Sequence, residues 1–172
     1  MDFTGIFDHL SVIRAPGLLG ADLPRKQDSA DKSVRARAGD PFVLVQAALL
    51  AEFLRVCRDD ERLRFEMLVD ITATDPAATS TELWINVSLL SIELCQRLQI
   101  KALLPKQSSR LPSVSGVYPA ANWHERECAE MYGIVFEGHP DPRHILLPDD
   151  WVGHPLRKDY EYPKTYHGIS CE

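Results

Sequence analysis

The sequence predicts an α+β fold of two layers, a mostly antiparallel or mixed sheet packed by helices, followed by an extended C-terminal tail rich in proline and aromatic residues. Three observations lead there. Apolar residues recur at helical spacing in Phe42, Val45, Leu49, Phe53 and Val56, and at a spacing of two in Leu63, Phe65, Met67, Val69 and Ile71. From Pro105 on, the composition changes. Eight of the twelve prolines lie in the last 68 residues, and eight of the fourteen aromatics lie from Tyr118 on. One helix type and several alternating strands bury their apolar sides most economically as a two-layer domain.

Taken in order, Phe3, Ile6, Phe7 and Leu10 mark a short amphipathic piece. Residues 15–32, with Pro16, Gly17, Gly20 and Pro24, read as a linker. Ser33–Arg37 offers an edge strand. Asp40 and Pro41 then open the clearest helix, aspartate capping and proline in the first turn, ending in Arg58-Asp59-Asp60-Glu61. The alternating run from Leu63 to Ile71 is a strand, closed by the loop from Asp75 to Ser80. Leu83–Leu90 and Leu98–Leu104 are two more, joined by a turn over Ser91–Gln96. This gives an α+β domain over residues 1–116 and a second unit, a helix with its tail, over residues 117–172.

That helix is Asn122 to Tyr132, with Asn122 or its neighbours at the cap and Gly133 in the left-handed position past its end. At about 100° per residue, Trp123, Glu127 and Met131 share a side, and Glu125 points away from Glu127. Arg126 and Glu130 are four apart and able to pair. If the Trp123–Met131 side is buried, Glu127 needs a cation, hydrogen-bond donors or a proton. The pattern reads as a buried ion-pair knot. Beyond Gly133, prolines 140, 142, 148, 155 and 163 leave no room for a sizeable helix. Ile145, Leu146, Leu147, Trp151, Val152 and Leu156 are too apolar for a solvated tail, so it lies on its own domain or, as the favoured reading, on another chain.

Composition excludes several functions. Net charge is −6, of which −5 falls in residues 120–172, and no basic stripe exists for nucleic acid. The longest nearly apolar run, Pro41 to Ala51, is far short of the ~18 residues that span a bilayer. Residues 1–10 are acidic and lack the features of a signal peptide, so a cytosolic chain is expected. Cys57, Cys95, Cys128 and Cys171 form no C-x-x-C pair and are expected as free thiols. His124 to Cys128 fails the zinc-protease pattern at its fifth position, and two ligands do not make a metal site. His139, His144 and His154 are expected to hydrogen-bond the backbone. With no phosphate loop or nucleophile elbow, no catalytic, cofactor-binding or metal residue is expected. The competing reading is a free-standing acid–base or metal enzyme built on His124, Glu127, Cys128 and His139.

The run Glu125-Arg126-Glu127-x-x-Glu130-Met131-Tyr132-Gly133-Ile134-x-Phe136-x-Gly138-His139-Pro140-Asp141-x-Arg143-x-Ile145-Leu146-Leu147 resembles the signature of the C (30-kDa-type) subunit of respiratory complex I, NADH:quinone oxidoreductase. The likeness continues through Pro148-Asp149-Asp150-Trp151-x-Gly153-His154-Pro155-Leu156-Arg157-Lys158-Asp159-Tyr160 and is looser over residues 40–104. Pro142, His144 and Glu130 stand where the family often has Leu, Arg and Asp. The resemblance implies a non-catalytic peripheral-arm subunit on the cytoplasmic side of the cell membrane, associated with the membrane only through the proton-translocating complex. Flavin, iron–sulfur clusters and quinone would belong to partner subunits, above all the quinone-site large subunit and its iron–sulfur neighbours. Related subunits serve energy-converting hydrogenases and quinone-reducing complexes with other donors. The expected docking residues are Glu125, Arg126, Glu127, Glu130, Gly133, His139, Pro140, Arg143, Trp151, Pro155, Leu156, Arg157, Lys158 and Asp159, with Arg157, Lys158 and Asp159 as charged anchors.

Overall fold

Alternation decides the centre of the sheet. In the computed structural model, which describes residues 1–22 and 41–171, strands β4 (Glu82–Ser91) and β5 (Gln96–Pro105) pair antiparallel along their whole length. Each buries every second side chain, Leu83, Ile85, Val87 and Leu89 on β4 against Leu98, Ile100, Ala102 and Leu104 on β5. Strand β3 (Met67–Thr74) adds antiparallel to β4. Strand β2 (Phe42–Val45) adds parallel to β5, and β1 (Leu18–Asp22) antiparallel to β2, giving the order β1-β2-β5-β4-β3. The sheet is mixed, as predicted.

Helices α1 (Phe3–Val12), α2 (Leu50–Asp59) and α3 (Ala121–Tyr132) contribute Ile6, Leu10, Phe53, Leu54, Cys57 and Cys128 to one core with the inward strand residues. Asp2 caps α1 through Gly5 N–H, and His9 meets Asp60 at 3.0 Å where α2 ends. A short parallel pair, β6 (Arg110–Pro112) with β7 (Val135–Glu137), brackets α3. The hairpin β8 (Thr165–Tyr166) and β9 (Ile169–Ser170) ends the tail. The core is continuous across position 116, since Val114, Val117, Tyr118 and Phe136 join the same cluster.

Four local expectations change. The predicted helix from Asp40 begins instead at Leu50, after a 3-10 turn at Ala47–Leu49, because Val43 and Val45 point inward from a strand beside β5. A run of Phe-Val-Leu-Val satisfies a strand as well as a helix period, and the free edge of β5 selects the strand. Residues 18–22, read as linker, form β1. The remainder of that linker and Ser33–Arg37 lie outside the described residues. Strand β3 starts at Met67, and a register shift between Leu68 and Asp70 turns Leu68 inward and leaves Met67 and Val69 exposed. Leu63 and Phe65 are fully buried from the turn before it, with Phe65 O accepting from Tyr118 Oη at 2.6 Å.

Candidate functional site: a helix that clamps the C-terminal strap

Helix α3 carries three charged side chains on its buried sides, and each binds the backbone of another segment. Glu125, wholly buried, accepts from Ser113 Oγ and Val114 N–H, both at 2.6 Å. Burial holds its carboxyl above the usual carboxylate range, against the opposing pull of those donors and of His139. Arg126 donates through Nε to Arg143 O (2.7 Å) and through Nη2 to His144 O (3.1 Å). Glu130 accepts the N–H groups of Ile145, Leu146 and Leu147 at 3.0–3.2 Å. The strap over residues 143–147 is thus held by its carbonyls on one side and its amides on the other. Arg126 and Glu130 do not pair with each other.

This corrects the expected face of the helix. Trp123 (62% exposed) and Glu127 look outward, while Glu125 takes the interior position foreseen for Glu127. Arg126 also lies over the Trp123 ring, 5.2 Å from its centre. Ala120, with no side-chain bond, stands at the cap instead of Asn122, and Gly133 ends the helix at φ 71° as predicted.

The histidines do bond backbone. His139 Nε2 meets Asn122 O at 3.1 Å while Nδ1 accepts Asp141 N–H at 3.0 Å. His154 Nδ1 meets Glu130 O at 2.9 Å, and His144 Nδ1 meets Pro148 O at 3.3 Å. A cavity of about 250 Å³ lies under the strap, lined by Arg126, Ala129, Ile134, Phe136, His139 and Pro142 among others.

Further along, the strap is pinned a second time. Lys106 Nζ lies 2.7 Å from Asp75 and 3.2 Å from Asp159, with both the Lys106 and Asp75 side chains buried. Lys158 donates its backbone N–H to Asp75 at 2.9 Å. Burial opposes the charge of Asp75, but Lys106 and that N–H outweigh it and hold the carboxyl below its ordinary value. Arg157 donates to Tyr132 O (2.6 Å) and Lys106 O (3.3 Å), and Leu156 N–H reaches Met131 O. Of the three expected anchors, then, Arg157 and Asp159 are engaged within the chain, and the Lys158 side chain is exposed with no ion pair among the described residues. Trp151 packs against Tyr166 with ring centres 5.3 Å apart and planes tilted by 53°, Pro155 O accepts from Tyr162, Arg143 pairs with Asp141 at 2.7 Å, and Pro140 is exposed.

Sequence reasoning missed Asp75 and Lys106. Their signal is topological. Strands β3 and β5 run in the same direction on either side of β4, so the residues just after Thr74 and Pro105 emerge at one end of the sheet.

The thiols and histidines do not converge. Cys128 Sγ faces Ile71 O, His124 faces Asp70, and burial pushes the Cys128 thiol up to about 12. Among the described residues no group of three His, Cys, Asp or Glu side chains is placed to hold a metal, and no helix is long and apolar enough to cross a membrane.

Fold and site together describe a sheet covered by helices on one face, whose signature helix clamps an extended strap through its backbone. The model of the respiratory-chain NADH dehydrogenase 30 Kd subunit matches residues 43–166, and the chain belongs to that family. Among its relatives is the NADH-quinone oxidoreductase C subunit of Chloroherpeton thalassium, 46% identical over 65% of this chain and 46% of that protein. The corresponding protein of Acidothermus cellulolyticus is 36% identical over 98% of this chain and 86% of its own length. The chain spans about half the length of the Chloroherpeton protein and of its Mycolicibacterium gilvum counterpart (54%). The fold is also that of a chain in the archaeal membrane-bound sulfane sulfur reductase, a respiratory membrane complex. TM-score there is 0.65 at 22% identity, over 93% of this chain and 86% of that one.

Proposed function

We propose that this chain is a supporting subunit of a proton-pumping NADH:quinone oxidoreductase, held in the peripheral arm on the cytoplasmic side of the membrane. It docks on the quinone-site subunit and neighbouring iron–sulfur subunits through α3 and the strap. Flavin, clusters and quinone reside in those partners, and this chain supplies no catalytic residue. The relatives named as C subunits of NADH-quinone oxidoreductase support the assignment.

The observation that carries the docking role is the clamp itself. Arg126 and Glu130 grip residues 143–147 by their backbone, which leaves Leu146 at the surface, and further along the strap Val152 and Leu156 stand exposed as well. Leu146 is 61%, Val152 84% and Leu156 47% exposed. A preordered apolar strip loses little entropy when a partner covers it. Trp123 and Glu127 extend the same outward surface from the helix.

The test is a native gel with mass spectrometry on gently extracted membranes from cells carrying a tagged chain. Co-migration with a quinone-site subunit and iron–sulfur subunits is expected, and Glu127→Gln should lower that recovery or the quinone reductase activity. A chain running alone at its own mass sinks the reading. The likeness to the sulfane sulfur reductase chain favours a second reading, the equivalent subunit of a complex with another donor or of an energy-converting hydrogenase. The input module that co-purifies distinguishes them.

A further inference from the structure

We infer that the face of the sheet turned away from α1, α2 and α3 is a second protein interface, and that its partner is a neighbouring subunit presenting a carboxylate set among apolar side chains. Only the protein nature of that partner rests on the proposed function; the surface is separate from α3 and the strap.

The residues that alternate with the core positions build this face. Register places Leu44, Lys101, Asn86 and Thr72 in one row across four strands, with Phe42, Gln99 and Ser88 in the row on one side and Leu103, Trp84 and Thr74 on the other. A solvated face of an antiparallel sheet is ordinarily polar. Here Phe42, Leu44, Trp84, Leu90 and Leu103 remain only partly covered by the chain. Four of the polar members are already matched within the sheet, Ser88 to Gln99 at 2.9 Å and Asn86 to Thr74 at 3.1 Å. They ask nothing of a partner.

The cations are different. Lys101 Nζ sits 4.0 Å from the centre of the Phe42 ring and 5.5 Å from that of Trp84. Arg97 lies four residues before it on the same central strand. Neither has a carboxylate within ion-pair distance among the described residues, whereas Lys106, on the loop after the same strand, has two. The rings orient the ammonium, and no carboxylate among the described residues supplies its counter-charge. A partner that covered the face with apolar groups alone would strip water from an unpaired cation, which is costly; one that brings a carboxylate removes that cost. The tryptophan and phenylalanine beside it are the side chains that carry binding energy at such centres.

The test compares the full chain in gently extracted membrane assemblies with the purified chain alone. Lys101 is labelled with an acetylating amine reagent, and a carbodiimide couples ammonium groups to touching carboxylates; both are read by mass spectrometry. Expected are labelling of Lys101 at least about tenfold slower in the assembly, and an amide link from Lys101 to an Asp or Glu of another subunit. Lys101→Glu should reduce recovery of the chain in the assembly by about the same factor, and Lys101→Arg should restore it without the link. Equal labelling in both states overturns the inference, as does a link to this chain itself or to a second copy. A chain that co-migrates with partners yet labels freely at Lys101 overturns this interface and leaves the subunit reading standing. One that co-migrates with nothing overturns both.

Discussion

A methyl group added at position 133 would put its carbon 2.4 Å from His154 Nε2 and 3.0 Å from Arg157 Nη2. Gly133 therefore serves two needs, the left-handed turn at φ 71° and the close approach of the strap over the end of α3. Gly133→Ala should cost at least about 2 kcal/mol, more than the left-handed conformation alone would, and lower the melting temperature by roughly 4–8 °C. A calorimetric scan checks this. The two buried acids should show opposite pH behaviour. Glu125 is held above its ordinary value, so the folded chain binds its proton more tightly than the unfolded chain. Stability from this group is full below the unfolded pKa near ~4.3 and falls as pH rises through the higher folded value. Asp75 is held below its ordinary value, so its contribution is full above the unfolded pKa near ~3.9 and is lost as pH falls through the lower folded one. Urea unfolding across pH should lose the first trend in Glu125→Gln and the second in Asp75→Asn.

At the level of the element, the strap is an extended segment without a sheet to pair with, and α3 substitutes for the missing strand. One carboxylate receives three consecutive amides and one guanidinium reaches two consecutive carbonyls. Hydrogen bonds to charged groups contribute roughly 1.5–3 kcal/mol each. Glu130→Ala should leave α3 folded, because that residue takes its partners from the strap, while hydrogen exchange at Ile145, Leu146 and Leu147 accelerates by about tenfold or more. Unchanged protection of those amides would show that the clamp is not what orders them. The second pin, at Asp75 and Lys106, acts further along the chain, at Lys158 and Asp159, so the strap is fixed at two points.

For the molecule as a whole, one core joins α1, α2 and α3 to a single face of the sheet, and the parallel pair of β6 and β7 ties the strap's origin to the chain before α3. Unfolding should accordingly be one cooperative transition, with the signal of Trp151 on the strap following that of Trp84 on the sheet. Phe53→Ala, at a fully buried position, should cost about 3–5 kcal/mol and shift both signals together by roughly 10 °C. A strap that melts separately would divide the molecule at the composition change near position 116.

Much of this was legible in the residues. Strands β4 and β5 follow from alternation, because each apolar side chain on them answers to one sheet face. The end of α3 follows from Gly133, and the absence of a later helix from the prolines. Membership in the family came from the ordered run between Glu125 and Tyr160. Other features depended on atoms far away in sequence. Phe42–Val45 satisfies both periods, and only the open edge of β5 made it a strand. The bulge at Leu68 turned that residue inward in place of Met67 and Val69 while Ile71 kept its predicted side, a local change of phase that no composition records. Glu125 and Glu127 are the same residue type on one short helix. Which is buried was decided by where Val114 N–H and Ser113 Oγ stand. Likewise Lys106 found Asp75 only because two strands of like direction end on the same side of the sheet. Neighbours along the chain were enough to set the periodic elements, the breaks between them and the family. The charged contacts were left to the folded molecule, because the solvation and partners of a charge depend on whatever the fold brings within a few ångströms of it.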